Sequence, residues 1–185
     1  MKIKSKIIKI KIKIMSVLLL SLFFLTVGVS LKNRASMRVK TVRTPISELN
    51  LARALKKAHF NLFGSYPSKN KLMVAWAQVG IENRRGKSVY NHNLGNISSR
   101  KTVPYYVLAG RSYLSFKSFN DGAIGYWKVI HRMCKSSIPY FEKGYSYAAA
   151  LQLKKCGYYE ANEKEYARQM TRVYIYGVKN IADKI

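Results

Sequence analysis

Apolar and polar positions divide the chain into three kinds of stretch. Between Lys2 and Lys13, lysines alternate with isoleucines. Residues 14–31 are then uncharged and rich in Leu, Phe and Val, an 18-residue run. A basic segment followed by such an apolar run has the form of an export signal or a membrane anchor, and the length falls between the two. Cations follow the run as well as precede it, so charge bias favours a cytoplasmic N-terminus only slightly. The expected organisation is a leader or anchor over 1–34 and one domain over 35–185, working outside the cytoplasm.

Beyond the leader, helical spacing predicts a helix from Thr44-Pro45 to about Leu62, closed by Gly64 and Pro67. A second helix is predicted over Lys71–Asn83, KLMVAWAQVGIEN. Its apolar residues cover most of the circumference, and Lys71, Gln78 and Glu82 fall on one narrow stripe. Such a helix is central and buried, and its polar stripe must face solvent or a cleft. Tyr105–Leu108 and Tyr113–Phe116 flank Ala109–Ser112 as a short β-hairpin. Ser118 with Asp121 forms a capping box before a helix over about 120–135. A helix over about 145–155 stops at Gly157, and Asn162 with Glu165 caps the last one. The pattern describes a mainly α domain with one small hairpin.

Charge narrows the partners. The chain has 34 Lys+Arg against 8 Asp+Glu over 185 residues, net +26. The first 34 residues hold eight of the cations and no acid, leaving 26 against 8 in the body, net +18. Such a field favours anionic envelope polymers or lipids, or nucleic acid. A body carried across a membrane meets envelope polymers before DNA, and no nucleic-acid motif accompanies the charge, so no specific nucleic acid is expected. The scattered histidines and the absence of CxxC give no zinc-type spacing. Neither metal nor cofactor is expected. An oxidising compartment permits a Cys134–Cys156 disulfide without requiring it.

The stretch that carries chemistry is GIENRRGKSVYNHNLGNIS, Gly80–Ser98. Glu82 stands at the end of the buried helix, where partial burial raises a carboxyl pKa as a general acid requires. The loop Asn91-His92-Asn93-Leu94-Gly95-Asn96 offers neutral amides suited to sugar hydroxyl and acetamido groups. Arg84 and Arg85 act against this, since close cations lower a carboxyl pKa. Arg84 points away on helical spacing, and Arg85 reaches Glu82 only if the helix continues past it.

These residues resemble the lysozyme-like superfamily, in particular the peptidoglycan-cleaving N-acetylglucosaminidases and their lytic-transglycosylase relatives. The resemblance rests on Ala77-Gln78, Glu82, Gly86-Lys87-Ser88 and Asn93-Leu94-Gly95-Asn96-Ile97. A second block, Gly157-Tyr158-Tyr159-Glu160-Ala161 with Tyr166-Ala167 and Met170, follows in order. It implies an α+β lysozyme-like fold, with the hairpin beside a sugar-binding cleft, acting on peptidoglycan glycan strands. Glu82 is the implied general acid, and Asn93, Asn96 and Tyr158 are implied at the cleft. Gln78 and Tyr159, from the same motifs, are further candidates for substrate contact. The chain departs from the family in Glu82-Asn83-Arg84-Arg85-Gly86, where the family commonly has Ser, or Thr-Gly, near the acid.

Glycosidases usually use two carboxylates. The 38 residues between Glu82 and Asp121 hold no acid, and Asp121 reads as a helix cap. Glu160, beside Tyr158, is the best distant candidate. A single-carboxylate route is favoured, through the substrate's 2-acetamido group or an intramolecular hydroxyl. The competing readings are an inactive glycan-binding relative and a basic nucleic-acid or membrane-surface module.

Overall fold

The computed structural model describes residues 37–99 and 103–185. The expected leader, with its apolar run 14–31 and the N-terminal hydrophobic helix, lies outside the described residues. No helix among the described residues is long and apolar enough to cross a membrane. Val39–Ile185 cluster as one compact unit.

The unit is mainly helical, with one two-stranded sheet. Helix α1 spans Glu48–Phe63. It starts later than the sequence suggests, because Ser47 caps it by accepting from the Asn50 amide at 3.3 Å. Residues 43–46 are extended and pair with the loop after α2 instead: the Thr44 amide donates to Val89 O and the Ile46 amide to Gly86 O. Pro45, which cannot donate, falls between those two bonds.

Helix α2, Lys69–Glu82, is the axis of the domain. All ten residues from Lys71 to Gly80 are buried. α1, α4 (Ile138–Lys143) and α6 (Glu163–Asn180) pack around it. Trp76, fully buried, donates its Nε1–H to Glu48 O at 3.0 Å and ties α2 to the start of α1. A buried residue of this kind is worth roughly 3–5 kcal/mol against alanine.

The hairpin joins β1, Tyr105–Leu108, to β2, Arg111–Leu114, antiparallel. The turn is only Ala109-Gly110, with φ of 49° and 77°. Positive φ at both positions is the two-residue turn that matches strand twist, so β2 begins two residues earlier than expected. Residues 97–99 run along β2 through the Leu114 amide to Ile97 O and the Ser99 amide to Ser112 O. The asparagine loop is thereby fastened to the hairpin.

Helix α3, Phe119–Met133, is capped by Ser118 as expected. A 3₁₀ turn, Lys135–Ser137, and the short α4 follow; periodicity does not reveal elements of this length. Helix α5 spans Ser146–Lys155, and α6 is capped by Asn162. A Cys134–Cys156 disulfide joins the C-terminal ends of α3 and α5, with Cα atoms 5.4 Å apart. Its second cysteine immediately precedes Gly157-Tyr158, so the crosslink fixes where that segment leaves α5.

Candidate active site

Glu82 is the last residue of α2, and its carboxyl emerges where the buried axis ends. The Tyr166 hydroxyl, from the first turn of α6, donates to Oε1 at 2.7 Å. Asn96 Nδ2 donates to the Glu82 carbonyl at 2.6 Å and reaches Oε2 at 3.4 Å. Burial raises the Glu82 pKa, and the two neutral donors pull it back only in part. Gln78 Nε2 donates to the Tyr166 hydroxyl at 3.3 Å, which leaves that hydroxyl's own proton for Glu82.

The arginines that follow do not oppose this. The helix ends at Glu82, and Arg84 and Arg85 turn into the left-handed region, with φ of 53° and 57°. Arg85 then pairs with Glu48 at 3.3 Å, its guanidinium 4.5 Å from the centre of the Tyr176 ring. Asn83, where the chain departs from the family pattern, is fully buried. It donates to Leu94 O at 3.0 Å and accepts from the Gly86 amide at 2.7 Å, closing the turn on the asparagine loop.

Asn96 is the loop asparagine that meets Glu82. Asn93, expected to touch substrate, is fully buried instead. It donates to Ile97 O and Leu114 O and accepts from the Ile97 amide, so it shapes the loop and has no surface for a ligand. Gln78 is also fully buried and is corrected in the same way: it orients Tyr166 from behind. The polar stripe of α2 therefore faces protein at two of its three positions. Lys71 pairs with Glu142, Gln78 bonds Tyr166, and Glu82 alone of the three opens into a cleft.

The opposite wall comes from residues 157–161. The Tyr158 hydroxyl donates to Gly95 O at 2.9 Å. A Cβ at Gly95 would lie 2.7 Å from that hydroxyl, so the glycine is required for close approach of the two walls. Tyr159 stacks on Tyr166 with ring centres 3.6 Å apart and donates to Ala150 O, so it braces Tyr166 more than it faces the cleft. Lys154 Nζ gathers the carbonyls of Tyr159, Glu160 and Ala161 and pins this wall. Glu160 sits on the rim, its side chain 82 % exposed and paired with Arg111 at 3.0 Å.

Glu82, Asn96, Tyr113, Tyr158 and Tyr166 line a cavity of about 380 Å³. A second cavity of about 220 Å³ shares Asn96 and Tyr158 and continues to Val129 and Met133. The two cavities adjoin along Asn96, Ser98, Gly157 and Tyr158, with tyrosines in the lining and the Glu82 carboxyl in the first. Behind Glu82 lies Tyr126, whose fully buried hydroxyl has no partner among the described residues. Sequence reasoning missed Tyr166, Tyr126 and Lys154 as parts of the site. Tyr166 was visible only in the late Tyr166-Ala167 pair. No family model, curated protein or solved structure matches the chain.

Proposed function

We propose that the protein is a peptidoglycan-cleaving glycosidase with a lysozyme-like catalytic domain, acting outside the cytoplasm on strands of N-acetylglucosamine and N-acetylmuramic acid. The observation that carries this reading is Glu82: a carboxyl with a raised pKa, held by two neutral donors and opening into an aromatic-walled groove. Burial shifts such a group toward its protonated form, the form a general acid needs. The groove suits a polymer, since aromatic faces accept sugar rings. The disulfide and the apolar run of 14–31 both support an extracytoplasmic body.

In this reading Glu82 protonates the glycosidic oxygen as its bond to the anomeric carbon breaks. The carboxylate left behind is stabilised by the Tyr166 O–H. The other carboxyl lining the groove, Glu160, is exposed and bound to Arg111, so it is poorly placed as a nucleophile. The positive charge at the anomeric carbon is taken up by the substrate's own 2-acetamido oxygen, or by an intramolecular hydroxyl whose proton passes to Glu82. In the first case water then attacks, giving its proton to Glu82 and leaving a reducing end. In the second the product is an anhydro sugar. Either way Glu82 ends protonated.

Mass analysis of digested peptidoglycan tests the reading. Reducing or anhydro ends from the wild type, absent with Glu82→Gln, are expected. Undigested peptidoglycan with wild-type protein that still binds it overturns the proposal in favour of a glycan-binding protein.

A further inference from the structure

The outward face of α1 forms a larger cavity, about 720 Å³, that the proposed chemistry does not use. Arg53, Lys56, Lys57 and Lys184 surround it, and Phe60 and Tyr66 supply apolar surface. Tyr66 is 61 % exposed and Phe60 43 %. Their rings stack at 4.7 Å, and Lys56 Nζ lies 5.4 Å from the centre of the Tyr66 ring. No Asp or Glu side chain lines the cavity; Asn61 and Ile185, the latter bearing the terminal carboxylate, complete its wall, so four cations face at most one negative charge. Among the described residues none of the four cations is in an ion pair, and Asp183, next to Lys184, is bound to Lys69. Four like charges around one concavity repel each other, which is relieved by an anionic occupant.

This cavity and the groove lie at opposite ends of α6. Tyr166 belongs to its first turn, and Lys184 closes the 3₁₀ turn Ala182–Lys184 just beyond its C-terminal end. At 1.5 Å per residue the separation is on the order of 20 Å or more. One sugar cannot occupy both, whereas a polymer can.

We infer that this cavity is a second, non-catalytic site for an anionic sugar polymer, with a ring laid on Tyr66 and its carboxylates or phosphates held by Arg53, Lys56, Lys57 and Lys184. Charge complementarity requires an anion, and the exposed ring pair requires a flat apolar face beside it. Nucleic acid offers both features too. On the extracytoplasmic reading, which the disulfide supports, the abundant polyanions with ring faces are envelope glycans. The site stands apart from Glu82, so the inference does not depend on the cleavage reaction.

The test is co-sedimentation of the full chain carrying Glu82→Gln, which prevents digestion, with two sacculus probes, beside binding to a single-stranded oligonucleotide and to phosphatidylglycerol vesicles. One is peptidoglycan sacculi retaining their covalently attached anionic polymers; the other is sacculi stripped of them. Adding Lys56→Glu and Lys57→Glu is expected to raise the apparent Kd for intact sacculi about tenfold, and Tyr66→Ala severalfold. The preference of the Glu82→Gln chain for intact over stripped sacculi should disappear with the charge reversal and weaken with salt. All three positions are on the surface, and an unchanged Tm confirms folding. Equal binding of the charge-reversed chain to intact sacculi overturns the inference. So does loss of binding only to a single-stranded oligonucleotide, or only to phosphatidylglycerol vesicles. If the wild type cleaves nothing while the charge reversal abolishes the preference, the glycosidase reading fails and this one stands. If the wild type cleaves and the charge reversal has no effect, the glycosidase reading stands and this one fails.

Discussion

The two ends of α2 carry the same kind of problem and solve it differently. Near the N-terminal end Lys71 is buried, and near the C-terminal end Glu82 is largely so. Lys71 receives a full counter-charge from Glu142 at 2.9 Å, with the Trp127 ring 5.9 Å away. His59 and His131 lie beside this pair, and burial lowers the pKa of both, His131 to about 4. Glu82 receives only a phenol and an amide. An ion pair fixes a proton count and holds helices together. Neutral donors leave the proton free to move, which is of use only where a ligand can reach it. The comparison separates a structural charge from a chemical one, although both lie on one stripe of one helix.

The sharpest test exchanges each charge for a neutral side chain of similar shape. Glu82→Gln is expected to lower peptidoglycan cleavage by about 10³-fold, within the usual range for a lost general acid, with Tm unchanged or raised. Lys71→Met leaves Glu142 without its partner. It should cost roughly 1–3 kcal/mol in urea unfolding while the proposed cleavage rate of the folded protein is unchanged. A Glu82→Gln variant with full activity would remove the distinction.

The disulfide serves the Glu82 end, because it fixes the start of the Tyr158 wall. Reduction, or paired Cys134→Ser and Cys156→Ser, is expected to cost about 3 kcal/mol for a closed loop of this size. Urea unfolding with and without reductant measures it. Activity of the folded fraction should fall as well, since Tyr158 and Asn96 face each other across the groove.

The two ends also respond to pH with opposite sign. His131 has a folded pKa below its unfolded value, so the unfolded chain binds more protons between about pH 6.5 and 4. Stability therefore falls on acidification through that window, by about 2 kcal/mol once partial exposure is allowed for. Lys71 and His59 face His131 and strengthen the effect, and Glu142 opposes it. Glu82 has a raised folded pKa, so its contribution is present at low pH and lost as pH rises from about 4.5 through the folded value. Tm against pH should show the acid slope diminished in His131→Phe and the opposing slope removed in Glu82→Gln.

How far each end was legible depended on where its partners lie. The buried character of α2 follows from its own residues, and so do the caps at Ser118 and Asn162, whose hydrogen bonds span three positions. The Glu82 carboxyl at the helix end was likewise within reach of periodicity. Burial of Gln78 and Asn93 was not. An amide side chain reads alike whether it meets a sugar or a backbone carbonyl, and the choice is made by Tyr166, 88 positions from Gln78, and by Leu114, 21 from Asn93. That the helix ends before Arg85 was legible, but not where Arg85 goes, since Glu48 and Tyr176 draw it off from afar. Local bonds are written in local sequence, and the support of the site is not local.

Tyr166→Phe probes that distant support with the smallest expected effect. The ring stack on Tyr159 is preserved, so Tm should move little. The lost hydroxyl removes a donor to the Glu82 carboxylate, which raises the carboxyl pKa further. Cleavage by a general acid declines as pH rises through that pKa, so the alkaline limb of kcat/KM should shift to higher pH in the variant. At the optimum kcat should fall by about tenfold, because the departing proton leaves a less stabilised carboxylate. A Gln78→Leu variant should show a weaker form of the same shift, since Gln78 acts on Glu82 only by turning the Tyr166 proton toward it. A lowered kcat with an unmoved pH profile would mean that Tyr166 holds the groove's shape and does not tune the acid.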